Sequence, residues 1–139
     1  MAKILAIDYG MKRTGIAITD SLQLIASGLT TVETKFLKDY LADLFLKEEI
    51  ELLVVGKAMR MDNTNSSIES QIVPFIQFLK KKYPELKIER EDERYSSKQA
   101  LEAMVKGGMK KKDRRNKAMV DQVSATIILQ RFLERKSMN

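Results

Sequence analysis

The sequence predicts an α/β fold in which a mixed five-stranded sheet carries helices on both faces. Three strand-like segments come first and lie close together in the chain, which favours an antiparallel meander. Two later strand-like segments are separated by stretches with helical spacing, so they should return parallel to the first strand. We expect one domain over residues 1–139, because this length supports a single hydrophobic core. The five predicted strands are Lys3–Tyr9, Arg13–Thr19, Leu22–Val32, Glu51–Val55 and Leu86–Arg90.

The first two strands should form a hairpin. Lys3–Tyr9 (KILAIDY) is mostly apolar and reads as a buried strand, and Gly10 opens a short turn before Arg13–Thr19. The third segment has a weaker strand pattern, and Gly28 inside it predicts a bulge or bend.

Helices are predicted from apolar residues that recur at helical spacing. Thr34 is expected to cap the first helix. Pro74 should kink the second helix or lie near its start, and Pro84 lies beyond its end. A third helix should begin at Ser96 or Ser97 and end at Gly107-Gly108. The last helix is expected over Ala118–Glu134. The apolar positions of the first two helices are Phe36, Leu37, Tyr40, Leu41, Leu44, Phe45 and Ile68, Ile72, Phe75, Ile76, Leu79.

Composition excludes several kinds of chemistry. The chain has neither cysteine nor histidine, so disulfides, thiolate or imidazole metal sites and Ser-His-Asp or Cys-His catalysis are excluded. A metal would have to be held by oxygen, which favours Mg²⁺, Mn²⁺ or Ca²⁺. No apolar run is long enough to span a membrane and no signal peptide is evident, so we expect a cytoplasmic protein without a membrane partner.

Positive charge is concentrated in one segment. The formal charge is +6, and residues 94–118 contain nine Lys or Arg but two acidic residues. Such a segment is typical either of a site that faces phosphates or of a solvated, lysine-rich loop. Its candidate phosphate contacts are Arg94, Lys98, Lys110, Lys111, Lys112, Arg114, Arg115 and Lys117.

Asp8 interrupts the apolar first strand. A buried charge is costly unless it is paired, hydrogen-bonded or bound to metal, and the carboxyl end of a central strand is where α/β folds place their sites. A simpler interpretation is that Asp8 forms a turn with Gly10. The segment Asp8–Gly15 (DYGMKRTG) also offers Lys12 and Arg13 to a phosphate, in a layout similar to the phosphate hairpin of actin-like ATPases.

Two more groups of acids lie on other elements. Glu91, Asp92 and Glu93 follow the fifth strand, and Asp121 lies in the last helix. Adjacent acids repel one another, so a cation between them and Asp8 would explain their presence. The alternatives are a solvated strand end and a first-turn acid that complements the helix dipole. Three acidic positions without His or Cys fit a divalent-metal site for phosphodiester cleavage.

The chain resembles the YqgF/RuvX-type family, whose members are described as Holliday junction resolvases and as pre-16S rRNA nucleases. The matching motifs occur in family order along nearly the whole chain. The loop after Gly56 departs from the family pattern, since it lacks the usual proline and Asp-Gly pair. The motifs are Ile7–Ala17 (IDYGMKRTGIA), Val54–Gly56 (VVG), Met61–Thr64 (MDNT), Asp92–Ser97 (DERYSS) and Val120–Gln130 (VDQVSATIILQ).

The resemblance implies an RNase H-like fold and hydrolysis of nucleic-acid phosphodiester bonds with Mg²⁺ or Mn²⁺. By position it implies that Asp8, Glu93 and Asp121 are the catalytic, metal-binding acids. Asp92 is the reserve candidate, which is the alternative to Glu93. Lys12, Arg13 and Arg94 match the cations of the motifs.

Three functions remain open at this point. The first is a nuclease that processes the 5′ end of pre-16S rRNA, with Holliday junction DNA as the second substrate choice. The second is a nucleic-acid-binding module with a weak or inactive site. The third, an actin-like ATPase, is disfavoured because such enzymes clamp nucleotide between two domains. A junction resolvase would need two sites in a dimer, whereas the sequence predicts a monomer or a weak homodimer.

Overall fold

The predicted five-stranded mixed sheet is present in the computed structural model of the chain, which describes residues 2–57, 67–92, 102–103, 105–107 and 116–137. The strand order is β3-β2-β1-β4-β5. β2 pairs antiparallel with both β1 and β3, while β4 runs parallel to β1 and to β5. The apolar first strand therefore occupies the centre of the sheet. The strands are β1 (Lys3–Tyr9), β2 (Arg13–Thr19), β3 (Ala26–Glu33), β4 (Ile50–Lys57) and β5 (Lys87–Asp92).

Helices cover both faces of the sheet, as predicted. Leu5 and Ile7 of β1 pack in one core with residues of α1 and α2. Ile4 and Ala6 point the other way and pack with residues of α3. This two-residue alternation assigns every even-numbered position of β1 to the α3 face. The helices are α1 (Leu37–Lys47), which follows a 3₁₀ turn at Thr34–Phe36, α2 (Glu69–Lys82) and α3 (Lys117–Ser137).

The third strand begins later than expected. Residues 20–25 form a turn in which the Asp20 carboxylate accepts hydrogen bonds from the backbone N–H groups of Leu24 and Ile25, both at 2.9 Å. Gln23 adopts a positive φ of 59° there. These bonds replace strand pairing, so the strand expected within Leu22–Val32 begins at Ala26. The bulge expected at Gly28 is confirmed, because the register with β2 shifts at that point.

Other boundaries also differ from the sequence expectation. Thr34 does not cap α1, since no side-chain cap bond is made and its hydroxyl bonds to the β1–β2 turn instead. β5 extends two residues past Arg90 and includes Glu91 and Asp92. Pro74 lies inside α2, and Pro84 lies beyond its end.

Part of the predicted third helix lies outside the described residues. Residues 102–103 and 105–106 are helical, and the amide of Gly107 donates to the carbonyl of Ala103 at 2.9 Å. No helix in the described part of the chain is long and apolar enough to cross a membrane.

Candidate active site

Asp8 lies near the carboxyl end of the central strand, on the face that α3 covers. The four residues before it, Ile4–Ile7, are fully buried, whereas Asp8 itself is half-buried. The apolar strand therefore presents its single carboxylate at the sheet edge where the parallel strands β1 and β4 end. Tyr9 points to the opposite face, where burial raises the pKa of its phenol.

Gly15 brings the last helix next to Asp8. Gly15 is the residue of β2 directly opposite Asp8, and paired residues project on the same face. A Cβ added to Gly15 would lie 2.0 Å from the backbone carbonyl oxygen of Asp121. Asp8 and Asp121 therefore border the same glycine, and only a residue without a side chain allows α3 to approach so closely.

Arg13 links the hairpin to the same helix. Its Nε donates to Oδ2 of Asp121 at 2.8 Å, and both side chains are partly exposed, by 38% and 24%. The sequence predicted a phosphate contact for Arg13. In the structure its guanidinium holds a carboxylate of the candidate site and retains further N–H donors.

The turn that carries Lys12 is fixed by Thr34. The Thr34 hydroxyl donates to the Gly10 carbonyl at 2.7 Å and lies 2.9 Å from the Thr14 hydroxyl. The Thr34 amide donates to the Lys12 carbonyl at 2.9 Å. A Cβ on Gly10 would lie 2.2 Å from the Arg13 carbonyl oxygen, so this tight turn requires glycine. Sequence reasoning missed these bonds because they join segments twenty or more positions apart.

The acids of β5 divide between the two faces of the sheet. Glu91 pairs with Gly56 and forms an ion pair with Arg135 of α3, at 2.8 Å. Asp92 shares the other face with Arg90, which binds the buried Glu69 of α2 at 2.7 Å. The reserve candidate Asp92 is therefore separated from the face of Asp8 by the strand alternation. Glu93 lies outside the described residues.

Asp121 does not lie in the first turn of its helix. α3 begins at Lys117, and Oδ1 of Asn116 accepts the amides of Ala118 and Met119 at 3.1 and 3.4 Å. The first turn contains no acid, so the helix-dipole interpretation of Asp121 is wrong. One turn further on, Ser124 is fully buried and its hydroxyl has no hydrogen-bond partner in the described structure.

Three of the ten predicted phosphate contacts, Lys12, Arg13 and Lys117, lie within the described residues. Lys12 is exposed in the β1–β2 turn, and Lys117 is exposed at the start of α3. The other predicted contacts, Arg94, Lys98, Lys110, Lys111, Lys112, Arg114 and Arg115, lie outside the described residues.

The donor set is compatible with a hard divalent cation. The described residues contain no group of three acids arranged as metal ligands. They do place Asp8 and Asp121 beside one glycine, with the unpartnered hydroxyl of Ser124 one turn along α3. Each of these groups is an oxygen donor, which is the donor type that Mg²⁺ and Mn²⁺ prefer.

This strand order, with a carboxylate at the end of the central strand and another on the last helix, defines an RNase H-like α/β protein. The fold is shared with the fowlpox virus resolvase solved with Holliday junction DNA, at a TM-score of 0.61 and 14% identity over 96% of this chain and 98% of that chain. It is also shared with RuvC of T. thermophilus solved with a Holliday junction substrate, at a TM-score of 0.59 and 15% identity over 99% and 96% of the chains.

The chain belongs to the RuvX family, described as Holliday junction resolvase, whose model matches residues 2–135. A relative from Christiangramia forsetii is 55% identical over 96% of this chain and 98% of its own length. Another, from Phocaeicola vulgatus, is 54% identical over 98% of both chains. Both relatives carry the name "Putative pre-16S rRNA nuclease". The predicted family, fold class and enzyme class, a hydrolase of nucleic-acid phosphodiester bonds, are thereby confirmed.

Proposed function

We propose that this protein is a Mg²⁺- or Mn²⁺-dependent nuclease that processes the 5′ end of pre-16S rRNA during ribosome biogenesis. Its catalytic, metal-binding acids are Asp8, Glu93 and Asp121. The observation that carries the proposal is that Asp8 and Asp121 border the same residue, Gly15, at the carboxyl end of the apolar central strand.

Each side chain has a distinct part in this mechanism. Asp8 and Asp121 would hold the metal, which would supply activation of water and stabilisation of the leaving oxygen. Arg13 orients the Asp121 carboxylate through the 2.8 Å bond, and its remaining N–H groups are available to a substrate phosphate. Lys12 lies in the same fixed turn and adds positive charge where the phosphate approaches.

Asp92 is disfavoured as the second acid because it lies on the face of β5 opposite Asp8. Glu89 and Glu91 pair with Val54 and Gly56 on the α3 face, whereas Asp92 belongs to the opposite face. Asp92 therefore lies away from Asp8, and the second acid that we propose is Glu93 of the motif Asp92–Ser97.

The substrate assignment rests on relatives that match 96% and 98% of the chain. Relatives at 55% and 54% identity carry the name of a nuclease of pre-16S rRNA. We extend that substrate to this chain, with the basic segment of residues 94–118 as its phosphate-binding surface. We further propose a single cytoplasmic domain that acts as a monomer or weak homodimer.

Holliday junction DNA is the alternative substrate. It is favoured by the family description and by two solved structures of the same fold that contain junction DNA. Symmetrical junction cutting needs two sites presented by a dimer. A binding module with an inactive site is the alternative from another class.

A side-by-side assay tests the function. A pre-16S rRNA fragment and a four-way DNA junction are incubated with the protein at matched salt, with Mg²⁺, with Mn²⁺ and with EDTA. We expect metal-dependent cleavage of the RNA fragment and no symmetrical resolution of the junction. Preferential junction cutting would overturn the substrate assignment. Binding without cleavage in either metal would overturn the enzymatic proposal.

A further inference from the structure

A second cleft opens at the carboxyl end of β1, on the face opposite Asp8. It lies between the start of α1 and the first half of α2 and has a volume of about 410 Å³, within the range of about 300–1,000 Å³ for small-ligand sites. We call it the α1–α2 cleft. Its lining includes Tyr9, Met11, Lys35, Lys38, Gln71 and Phe75.

The floor of the α1–α2 cleft is aromatic. The ring centroids of Tyr9 and Phe75 are 5.2 Å apart, with a tilt of 42° between the planes. Phe75 is buried at 5% exposure, so Tyr9, which is half-buried, offers the accessible ring. Met11 beside it is 65% exposed, so its apolar side chain is also accessible to a ligand.

The rim of the α1–α2 cleft is positively charged. Lys35 and Lys38 are both exposed. The Lys38 ammonium lies 4.1 Å from the centroid of the Phe78 ring, and that of Lys35 lies 5.1 Å from the centroid of Phe36. Among the described residues that line this cleft none is acidic, so the local field favours an anion.

A larger cleft, with a volume of about 720 Å³, lies at the amino ends of the strands, near Ala2 and Ile50. Three acids and two lysines line it, so it lacks the net positive charge that attracts a polyanion. These residues are Glu49, Glu51, Glu85, Lys82 and Lys87.

We propose that the α1–α2 cleft binds an unpaired nucleotide of the strand that is cleaved beside Asp8. A base would stack on Tyr9 while the neighbouring phosphates contact Lys35 and Lys38, which is how proteins bind single-stranded nucleic acid. The cleft and the candidate site lie at the same end of β1 on opposite faces of the sheet, because Tyr9 follows Asp8 in β1 and Met11 shares the turn with Lys12. This inference rests on the proposed nuclease function and adds a binding site for single-stranded substrate.

The charge contribution is tested by binding of a short single-stranded RNA in EDTA, so that no cleavage occurs. Fluorescence anisotropy is measured over a series of salt concentrations for Lys35→Ala/Lys38→Ala. Two lost phosphate contacts should lower the slope of log affinity against log salt by about 1.4. The matched control is Lys80→Ala/Lys81→Ala at the exposed end of α2, which removes the same charge and should leave the slope unchanged.

The stacking contribution is tested at Tyr9. Tyr9→Leu should weaken binding by roughly 5- to 100-fold, since a base–aromatic stack of this kind is lost. Tyr9→Phe keeps the ring and should bind like the wild type. Thermal unfolding of both variants checks that changing the Tyr9–Phe75 contact has not reduced the amount of folded protein.

The outcomes separate this inference from the proposed function. If Lys35→Ala/Lys38→Ala keeps the wild-type salt slope, or if Tyr9→Leu binds like Tyr9→Phe, the cleft is not a nucleotide site and a protein partner becomes the better candidate. Neither result depends on cleavage. Failure of the proposed function would instead appear as the absence of metal-dependent cleavage by the wild-type chain.

Discussion

The Arg13–Asp121 ion pair joins residues 108 positions apart and fixes one carboxylate of the candidate site. Both residues were predicted site residues, Arg13 as a phosphate contact and Asp121 as a metal ligand. A pairing between a hairpin and a distant helix has no local signal, because it depends on where α3 packs. The sequence did identify Asp8, since a charge in an apolar strand is visible without the fold.

We expect Arg13→Gln to reduce activity far more than stability. The pair is partly exposed, so its loss should cost at most about 1 kcal/mol of unfolding free energy. Loss of a partner that orients a metal ligand typically lowers metal affinity or activity by roughly 10- to 100-fold. Thermal unfolding and initial cleavage rates over a range of Mg²⁺ concentrations measure the two effects. Unchanged rates would show that Arg13 does not position Asp121.

At the scale of the elements, the contact between α3 and β2 determines whether the two acids meet. Gly15 appears in the sequence as part of a turn-rich motif, but its close approach to Asp121 becomes evident only when the helix is in place. The antiparallel strands and the helical faces were predictable because hydrophobic periodicity encodes them locally. The start of β3 was not predictable in this way, because hydrogen bonds to the side chain of Asp20 compete with strand pairing.

Gly15→Ala should destabilise the fold and separate the two acids. The new Cβ would meet rigid backbone at 2.0 Å, so α3 must move, and overpacking of this kind costs about 1–3 kcal/mol or more. Gly28→Ala is the matched control, since its Cβ would meet the flexible side chain of Gln122 at 2.7 Å. Urea unfolding should show the larger loss for Gly15→Ala. Equal losses would contradict the proposed close approach.

The β2–β3 turn should give the fold a specific pH dependence. Backbone N–H groups of Ile25 and Leu24 donate to Asp20 and lower the pKa of its carboxyl below the ordinary value of 3.8. The stabilisation is therefore present above pH 3.8 and is lost as the pH falls through the lower, folded-state pKa. The unfolding free-energy difference between wild type and Asp20→Ala should be largest at neutral pH and shrink in strong acid. A difference that stays constant with pH would contradict this interpretation.

At the scale of the whole molecule, the sheet separates two environments at one edge. Asp8 and Asp121 lie with α3 on one face, while Tyr9 and the α1–α2 cleft lie on the other. The overall topology was predictable from segment order and spacing, because parallel returns require intervening helices. The α1–α2 cleft was not predictable from the sequence. Its residues come from three separate segments, which are β1, the segment before α1, and α2, and they converge only in the folded chain.

The most direct test of the proposed active site is to measure cleavage by the Asp8→Asn variant. This change removes the charge from the central carboxylate with little change in shape, and Asp43→Asn on the exposed surface of α1 provides the matched control. We predict that Asp43→Asn cleaves the pre-16S rRNA fragment in Mg²⁺ like the wild type. Asp8→Asn should fold normally, but its cleavage rate should fall by more than about 100-fold. A loss of roughly 10- to 100-fold is typical when only a residue that orients a metal ligand is changed. Wild-type cleavage rates in a folded Asp8→Asn variant would contradict the assignment of the active site.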